Sequence, residues 1–270
     1  MSWSEFEYSV ANGQPLTLYE FKRQNLYYRY TNADRSIMVN NALWEAIAIS
    51  DNGLSASSNN NVEITLPVTN KVVSFYRGVP PSTSVKITIY RMHYHDNQQE
   101  LRVAWVGNIT EVKREKIGEA KIITTNIVNT FSRQGLRLTW GRKCPHALYD
   151  SRCNVKARYY VISGLEITAL DGKSITFNAP QGINNGYFSG GYIEYKIEGL
   201  TERRGIRMHN NNNLSLYGGS YGLSIGLIIN VYPGCDNTID TCKNKFNNHL
   251  NYGGCPHLPG KSPYNITKLF

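Results

Sequence analysis

The chain carries few charges for its length: 18% of its 270 residues are Asp, Glu, Lys or Arg. It also lacks a long apolar run. The most apolar stretch near the C-terminus, Leu223 to Val231, is far too short to span a bilayer, so no membrane span is expected. The opening residues, MSWSEFEYSV, have no basic segment followed by an apolar one, so no secretory leader is expected. Synthesis in a reducing cytoplasm follows as the expectation, and there cysteines bind metal more readily than they form structural disulfides. No stretch sustains a 3.6-residue period, so any helix is short. The 20 acidic residues are scattered, with no pair set for glycosidase chemistry.

What is present points to strands. A hydrophobic content of 41% makes the chain globular rather than disordered. The 23 Gly and 10 Pro imply many turns, and 19 Tyr beside frequent Val, Ile and Thr favour half-buried pleated surfaces. The expected class is mainly β. Val85 to Tyr90 alternates strictly, as a strand with one buried face does. Leu16–Tyr30, Leu43–Ser50, Val62–Leu66, Lys71–Tyr76, Leu101–Val106, Ile109–Lys113 and Ala120–Asn126 read as further strands. Short spacings between loops and strands favour a meander or Greek-key barrel. After Phe131 the texture changes, which divides the chain into 1–133 and 134–270. In the second part Leu136–Trp140, Tyr159–Ser163, Glu166–Ala169, Ser174–Phe177, Tyr187–Ile197, Arg203–Met208 and Leu223–Tyr232 read as strands, with Asp171-Gly172 as a hairpin turn.

The net charge is +9, yet the basic residues are spread along the chain without a dense run or a reader motif. A solvated surface, or complementarity with a protein neighbour, explains that charge better than sequence-specific nucleic-acid binding. Catalytic patterns are weak. Gly218-Gly219-Ser220-Tyr221-Gly222 fits G-x-S-x-G, but a strand follows where a hydrolase needs a helix. His93 and His95 share a strand face and read as exposed hairpin residues rather than ligands. No catalytic residue is assigned, and the chain is not expected to be an enzyme.

The cysteines form two pairs. Cys144 and Cys153 lie in GRKCPHALYDSRCN, and Cys235 and Cys242 in YPGCDNTIDTCKNKFNN. Four thiols in two turn-rich loops suggest one metal centre. Zinc knuckles usually place two to four residues between paired cysteines, whereas eight and six intervene here. The wider loops suit an iron–sulfur cluster, with zinc as the alternative metal. Two disulfides or free buried thiols are the plainer readings. Arg142, Lys143, Arg152, Lys243 and Lys245 flank the loops and are expected to favour thiolates. His146 and His257 each follow a cysteine by two residues and stand as minor candidate ligands in a mixed zinc site.

Cys144-Pro145-His146-Ala147-Leu148-Tyr149 with Cys153, then Pro233-Gly234-Cys235-Asp236 with Cys242, Lys243 and Phe246-Asn247-Asn248, resembles the baseplate hub family of long-tailed phages. The closing Asn251-Tyr252-Gly253-Gly254 and Pro256-His257-Leu258-Pro259-Gly260 fit the same pattern. The family includes the tail-tip protein L of phage lambda and the hub of gene transfer agents. The resemblance is strong from about residue 131 to 260. It implies two β-barrel-like hub domains and a structural role in the virion, as a homotrimer at the distal end of the tail tube. The implied neighbours are the distal tail or tube protein, a central tip or fibre protein and the tape measure protein. It also implies a 4Fe–4S cluster on Cys144, Cys153, Cys235 and Cys242. Cys255 departs from the pattern, where relatives tend to carry an aromatic residue. The competing readings are a tail-associated cell-wall hydrolase, a redox protein, and a zinc-bound nucleic-acid-binding module.

Overall fold

The computed structural model describes residues 3–10, 13–54, 61–94, 96, 98–131, 135 and 140–259. It divides into two compact units, Met1–Arg133 and Gln134–Phe270. The protein is mainly β.

The first unit holds α1 (Trp3–Tyr8), β1 (Pro15–Arg23), β2 (Leu26–Thr31), β3 (Ile37–Val39), β4 (Ala42–Ala46), β5 (Ser50–Asp51) and β6 (Glu63–Pro67). Then follow α2 (Lys71–Ser74), β7 (Lys86–His93), β8 (Arg102–Lys116), β9 (Glu119–Asn126) and α3 (Val128–Phe131). The strands form one nine-stranded sheet in the order β3-β4-β2-β1-β7-β8-β9-β6-β5. Alternation decides which side chains face the core. In β7, Ile87 and Ile89 are fully buried while Lys86, Thr88 and Tyr90 are not. They join Tyr19, Phe21, Ile64, Leu66 and Ile122 in the main core.

The second unit contains β10 (Ile162–Asp171), β11 (Ser174–Phe177), β12 (Tyr192–Ile197), β13 (Leu200–Asn210), β14 (Asn213–Leu216) and β15 (Ile228–Tyr232). These close into a barrel in the order β10-β11-β14-β13-β12-β15. Its interior is filled by Ile167, Ile175, Phe177, Phe188, Ile193, Ile206, Leu214, Ile229 and Val231. The β12–β13 hairpin turns on Glu198 and Gly199, both at positive φ, the combination that matches strand twist in a two-residue turn. Among the described residues of this unit, only α4 (Ile239–Asn244) and two 3₁₀ turns, Ala157–Tyr159 before the barrel and His249–Asn251 after it, lie beyond the barrel.

Several strand assignments change. Leu16–Tyr30 is a hairpin, β1 and β2, rather than one strand. Lys71–Ser74 is a helix: Asn70 Oδ1 accepts the Val72 N–H at 2.8 Å as its N-cap, and adjacent Val72 and Val73 are both buried. A strand would send those two valines to opposite faces. The separate strands read at Leu101–Val106 and Ile109–Lys113 are one strand, β8, with irregular register between Ile109 and Glu111. Gly164 (φ +77), read as a joint between strands, lies inside β10 where the pairing with β15 shifts register. Tyr187–Gly191 is turn rather than strand, and Leu223–Leu227 precedes β15. Gly218–Gly222 is also turn, not a nucleophile elbow. His93 is buried, stacked on Phe6 and edge-on to Trp3, and not the exposed hairpin residue expected; His95 lies outside the described residues. Leu136–Trp140 falls, apart from Trp140, outside them too.

Candidate metal centre

The centre is built by two loops and a strap that lack strand pairing of their own. The first loop, residues 141–155, carries Cys144 and Cys153. Asp150 organises it: its Oδ1 accepts the backbone N–H of Cys153 at 2.6 Å and of Arg152 at 2.9 Å. The Cys153 bond first, with the Arg152 bond, holds the Asp150 carboxyl below its usual range. Tyr149 (φ +68) and Asn154 (φ +60) bracket this turn in the left-handed region, a cost that only a determined local structure sustains.

The second loop leaves the barrel at Tyr232. Here two backbones touch. A Cβ on Gly191 would lie 2.0 Å from the Tyr232 carbonyl oxygen, and one on Gly234 1.9 Å from that of Ser189. Tyr149 and Lys245 reinforce the contact, the Tyr149 hydroxyl donating to the Pro233 carbonyl at 2.7 Å and the Lys245 ammonium to the Gly234 carbonyl at 2.7 Å. Cys235 is thereby fixed against the barrel. Thr238 then caps α4, its hydroxyl accepting the Thr241 N–H, and α4 carries Cys242.

Loops and strap are cross-tied at each sulfur. The Cys144 N–H donates to Asn237 O at 2.9 Å, joining loop to loop. Asn248 Nδ2 donates to Cys153 O at 2.6 Å, and the Cys242 thiol donates to Asn248 O at 3.2 Å. Backbone N–H groups point at two sulfurs: Asn237 at Cys235 Sγ (3.3 Å) and Gly253 at Cys144 Sγ (3.4 Å). The strap, residues 252–258, closes over the first loop through Tyr252 OH to Arg142 O (2.6 Å) and Cys255 N to Gly141 O (2.8 Å).

The result is one pocket lined by Cys144, Cys153, Cys235 and Cys242, with His146, Leu148, Val155 and Phe246 among its walls. All five cysteines are free, so neither predicted pair is a disulfide. Cys255 is not in the pocket lining, and His257 is exposed and outside it. Basic neighbours do not draw the Cys235 and Cys242 thiols down as expected. Burial raises Cys235, which the Asn237 N–H opposes and the Asp236, Cys153 and Cys144 charges augment. Cys242 is raised likewise, first by burial and then by charge on Cys153, Cys235 and Cys144. Sulfurs that repel one another when ionised are stabilised as thiolates by a cation held between them.

A soft donor set of four cysteines in a largely apolar pocket fits zinc or an iron–sulfur cluster by its chemistry. Among the described residues no three His, Cys, Asp or Glu groups are placed to hold a single metal ion.

Phe246 anchors the floor of the pocket. It is 4% exposed and meets the Tyr149 and Tyr160 rings edge-on. Phe246→Ala is expected to destabilise the second unit by about 3–5 kcal/mol, read as a lower denaturant midpoint with little change in slope. An unshifted midpoint would show that this contact does not hold the loops.

The family described as "Baseplate hub protein, N-terminal attachment domain" matches residues 16–156, just over half of the chain. The chain belongs to the baseplate hub family. A second family, described as "Phage conserved hypothetical protein BR0599", matches residues 186–262 of this hub chain. The first match contains Cys144 and Cys153, and the second contains Cys235 and Cys242. The whole hub fold is similar to a chain of the solved "Virion of native gene transfer agent (GTA) particle", with a TM-score of 0.78 over 98% of this chain and 94% of that one, at 17% identity. An uncharacterized protein of Xylella fastidiosa (strain 9a5c) is 27% identical over 125 residues, 41% of this chain; the match spans about a quarter (26%) of that protein's length. The hub is therefore a structural component of a phage-type virion and not an enzyme. Among the described residues no helix is long and apolar enough to cross a membrane.

Asn237, Asn248, Tyr252 and Gly253 were not singled out as functional from sequence. Asn237 and Gly253 act through backbone N–H and carbonyl groups, which residue type does not announce, and the Asn248 amide and Tyr252 hydroxyl act on backbone carbonyls remote in sequence.

Proposed function

We propose that this hub is a trimer that closes the distal end of the tail tube and joins it to the tip, stapled in each chain by a 4Fe–4S cluster on Cys144, Cys153, Cys235 and Cys242. The observation that carries the cluster is the pocket lined by all four predicted thiols, contributed by two loops about 80 residues apart and by no other cysteine. A cluster with four protein ligands needs no open coordination position and supplies folding energy to a region poor in regular structure. Symmetry supports the trimer. Three chains with two β units each supply six contacts, which suits a sixfold tube above and a narrower tip below. The partners in this reading are the distal tail or tube protein, a central tip or fibre protein and the tape measure protein.

Anaerobically purified protein is expected to be brown, with about four irons and matching sulfide per chain. Colourless, folded protein with stoichiometric zinc would overturn the cofactor. Electron microscopy of intact particles is expected to place three copies about the tail axis with each cluster inside one chain. A single off-axis copy would sink the hub trimer, and a cluster shared between chains would sink the ligand set.

A further inference from the structure

The four-cysteine pocket is lined by an imidazole that nothing so far uses. His146 lines it together with the cysteines, and its Nδ1 is buried without a hydrogen-bond partner among the described residues. A buried ring nitrogen left unpaired is unfavourable, so a partner supplied by a ligand is the natural completion. Asp150 does not supply it. Its Oδ1 is spent on the N–H groups of Cys153 and Arg152.

The ring is also held in place. The strap crosses it at Gly253, where a Cβ would lie 2.5 Å from both Cε1 and Nε2 and 3.0 Å from Nδ1. A side chain there would have to displace the imidazole. The same Gly253 donates its N–H to Cys144 Sγ. One strap residue thus clamps the ring and contacts a ligand sulfur.

We propose that His146 is a hydrogen-bond donor to the centre, its Nδ1–H directed at a sulfur of the cluster or of its thiolates. The proposal rests on the cluster reading above. Donors to sulfur stabilise the more negatively charged reduced state, so His146 raises the reduction potential. With two backbone N–H groups also aimed at ligand sulfurs, it acts as a positioning and tuning residue, not as a fifth ligand. This explains why the pocket wall holds an imidazole where a staple alone needs only apolar packing.

The test compares the full chain, purified anaerobically, with His146→Leu and His146→Gln. Iron is quantified first; wild-type protein without iron overturns the cluster reading itself and this proposal with it. With iron present, His146→Leu is expected to keep its iron and shift to a more negative potential, while His146→Gln, which retains an N–H donor, recovers part of that shift. In reduced wild-type protein labelled with ¹⁵N-histidine, electron–nuclear spectroscopy is expected to show one coupled histidine nitrogen, absent from the Leu variant. Should His146→Leu fail to retain a cluster, the wild-type coupling decides alone. A cluster with no histidine coupling, or equal potentials in all three proteins, overturns the proposal.

Discussion

Replacing any one of Cys144, Cys153, Cys235 or Cys242 by Ser is expected to bleach the protein and abolish tail assembly, whereas Cys255→Ala leaves both nearly intact. Cys153 and Cys242 are 9% and 8% exposed, and burial in the second unit leaves their replacements no route to water. A hydroxyl is a poor ligand for iron that soft thiolates bind. Loss of one ligand also strands the other three sulfurs in a pocket that no longer holds a cation, where burial already raises the thiols of Cys235 and Cys242. The loops from 141 to 155 and from 233 to 252 contain only α4 and one 3₁₀ turn, so little else orders them. The binding energy of the centre is then folding energy, and its removal is expected to melt this region ahead of the barrel. Cys255 contributes its backbone N–H to Gly141 O, a bond that Ala keeps. Iron content and complementation of tail assembly read the outcome. Full iron in a Cys242→Ser protein, or its loss in Cys255→Ala, would show that the ligand set is wrong.

Much of this was legible because the relevant signals are local. Strict alternation over Val85–Tyr90 and the Asp171-Gly172 turn mark strands in any context, and both lie where they were read. The cysteine pairs stood out because turn formers flank each thiol. What escaped the reading depends on contacts remote in sequence. Val72 and Val73 look like strand residues until Asn70 caps a turn and the core takes both. His93 sits at a strand end beside polar residues, yet α1, from the far end of the unit, covers it with Trp3 and Phe6. The basic residues near the cysteines suggested lowered thiols, but at Cys235 and Cys242 burial outweighs them. Lys245 itself is pushed down by desolvation and spends its ammonium on the Tyr187 and Gly234 carbonyls. Composition cannot say how deep a charge will lie.

Gly234→Ala is expected to disable the centre without touching a ligand. The added methyl would lie 1.9 Å from Ser189 O and 2.3 Å from both Gly190 C and Gly191 N. All three are backbone atoms, so no rotamer change relieves the clash. The segment facing it is itself committed: Gly190 N donates to Ile206 O and Gly191 N to Phe188 O, while Ile206 N donates back to Gly191 O. Yielding on that side breaks the edge of the barrel, and yielding on the other displaces Cys235, the next residue. Either route also pulls at Lys245, which is bonded to Gly234 O. The expected cost exceeds about 4 kcal/mol, in the range reached only by overpacking or broken buried networks. Gly141→Ala is the control. It lies three residues before Cys144, at ordinary φ, and its Cβ would meet nothing within 4 Å. Its midpoint is expected within about 0.5 kcal/mol of wild type, with full iron content. Parallel denaturation and iron analysis of the two variants separate the arguments. Loss of iron in Gly234→Ala alone supports a Cys235 held by backbone contact with the barrel. Equal, near-wild-type behaviour of both variants would mean that the contact between residues 189–191 and 232–234 does not set the position of the thiol.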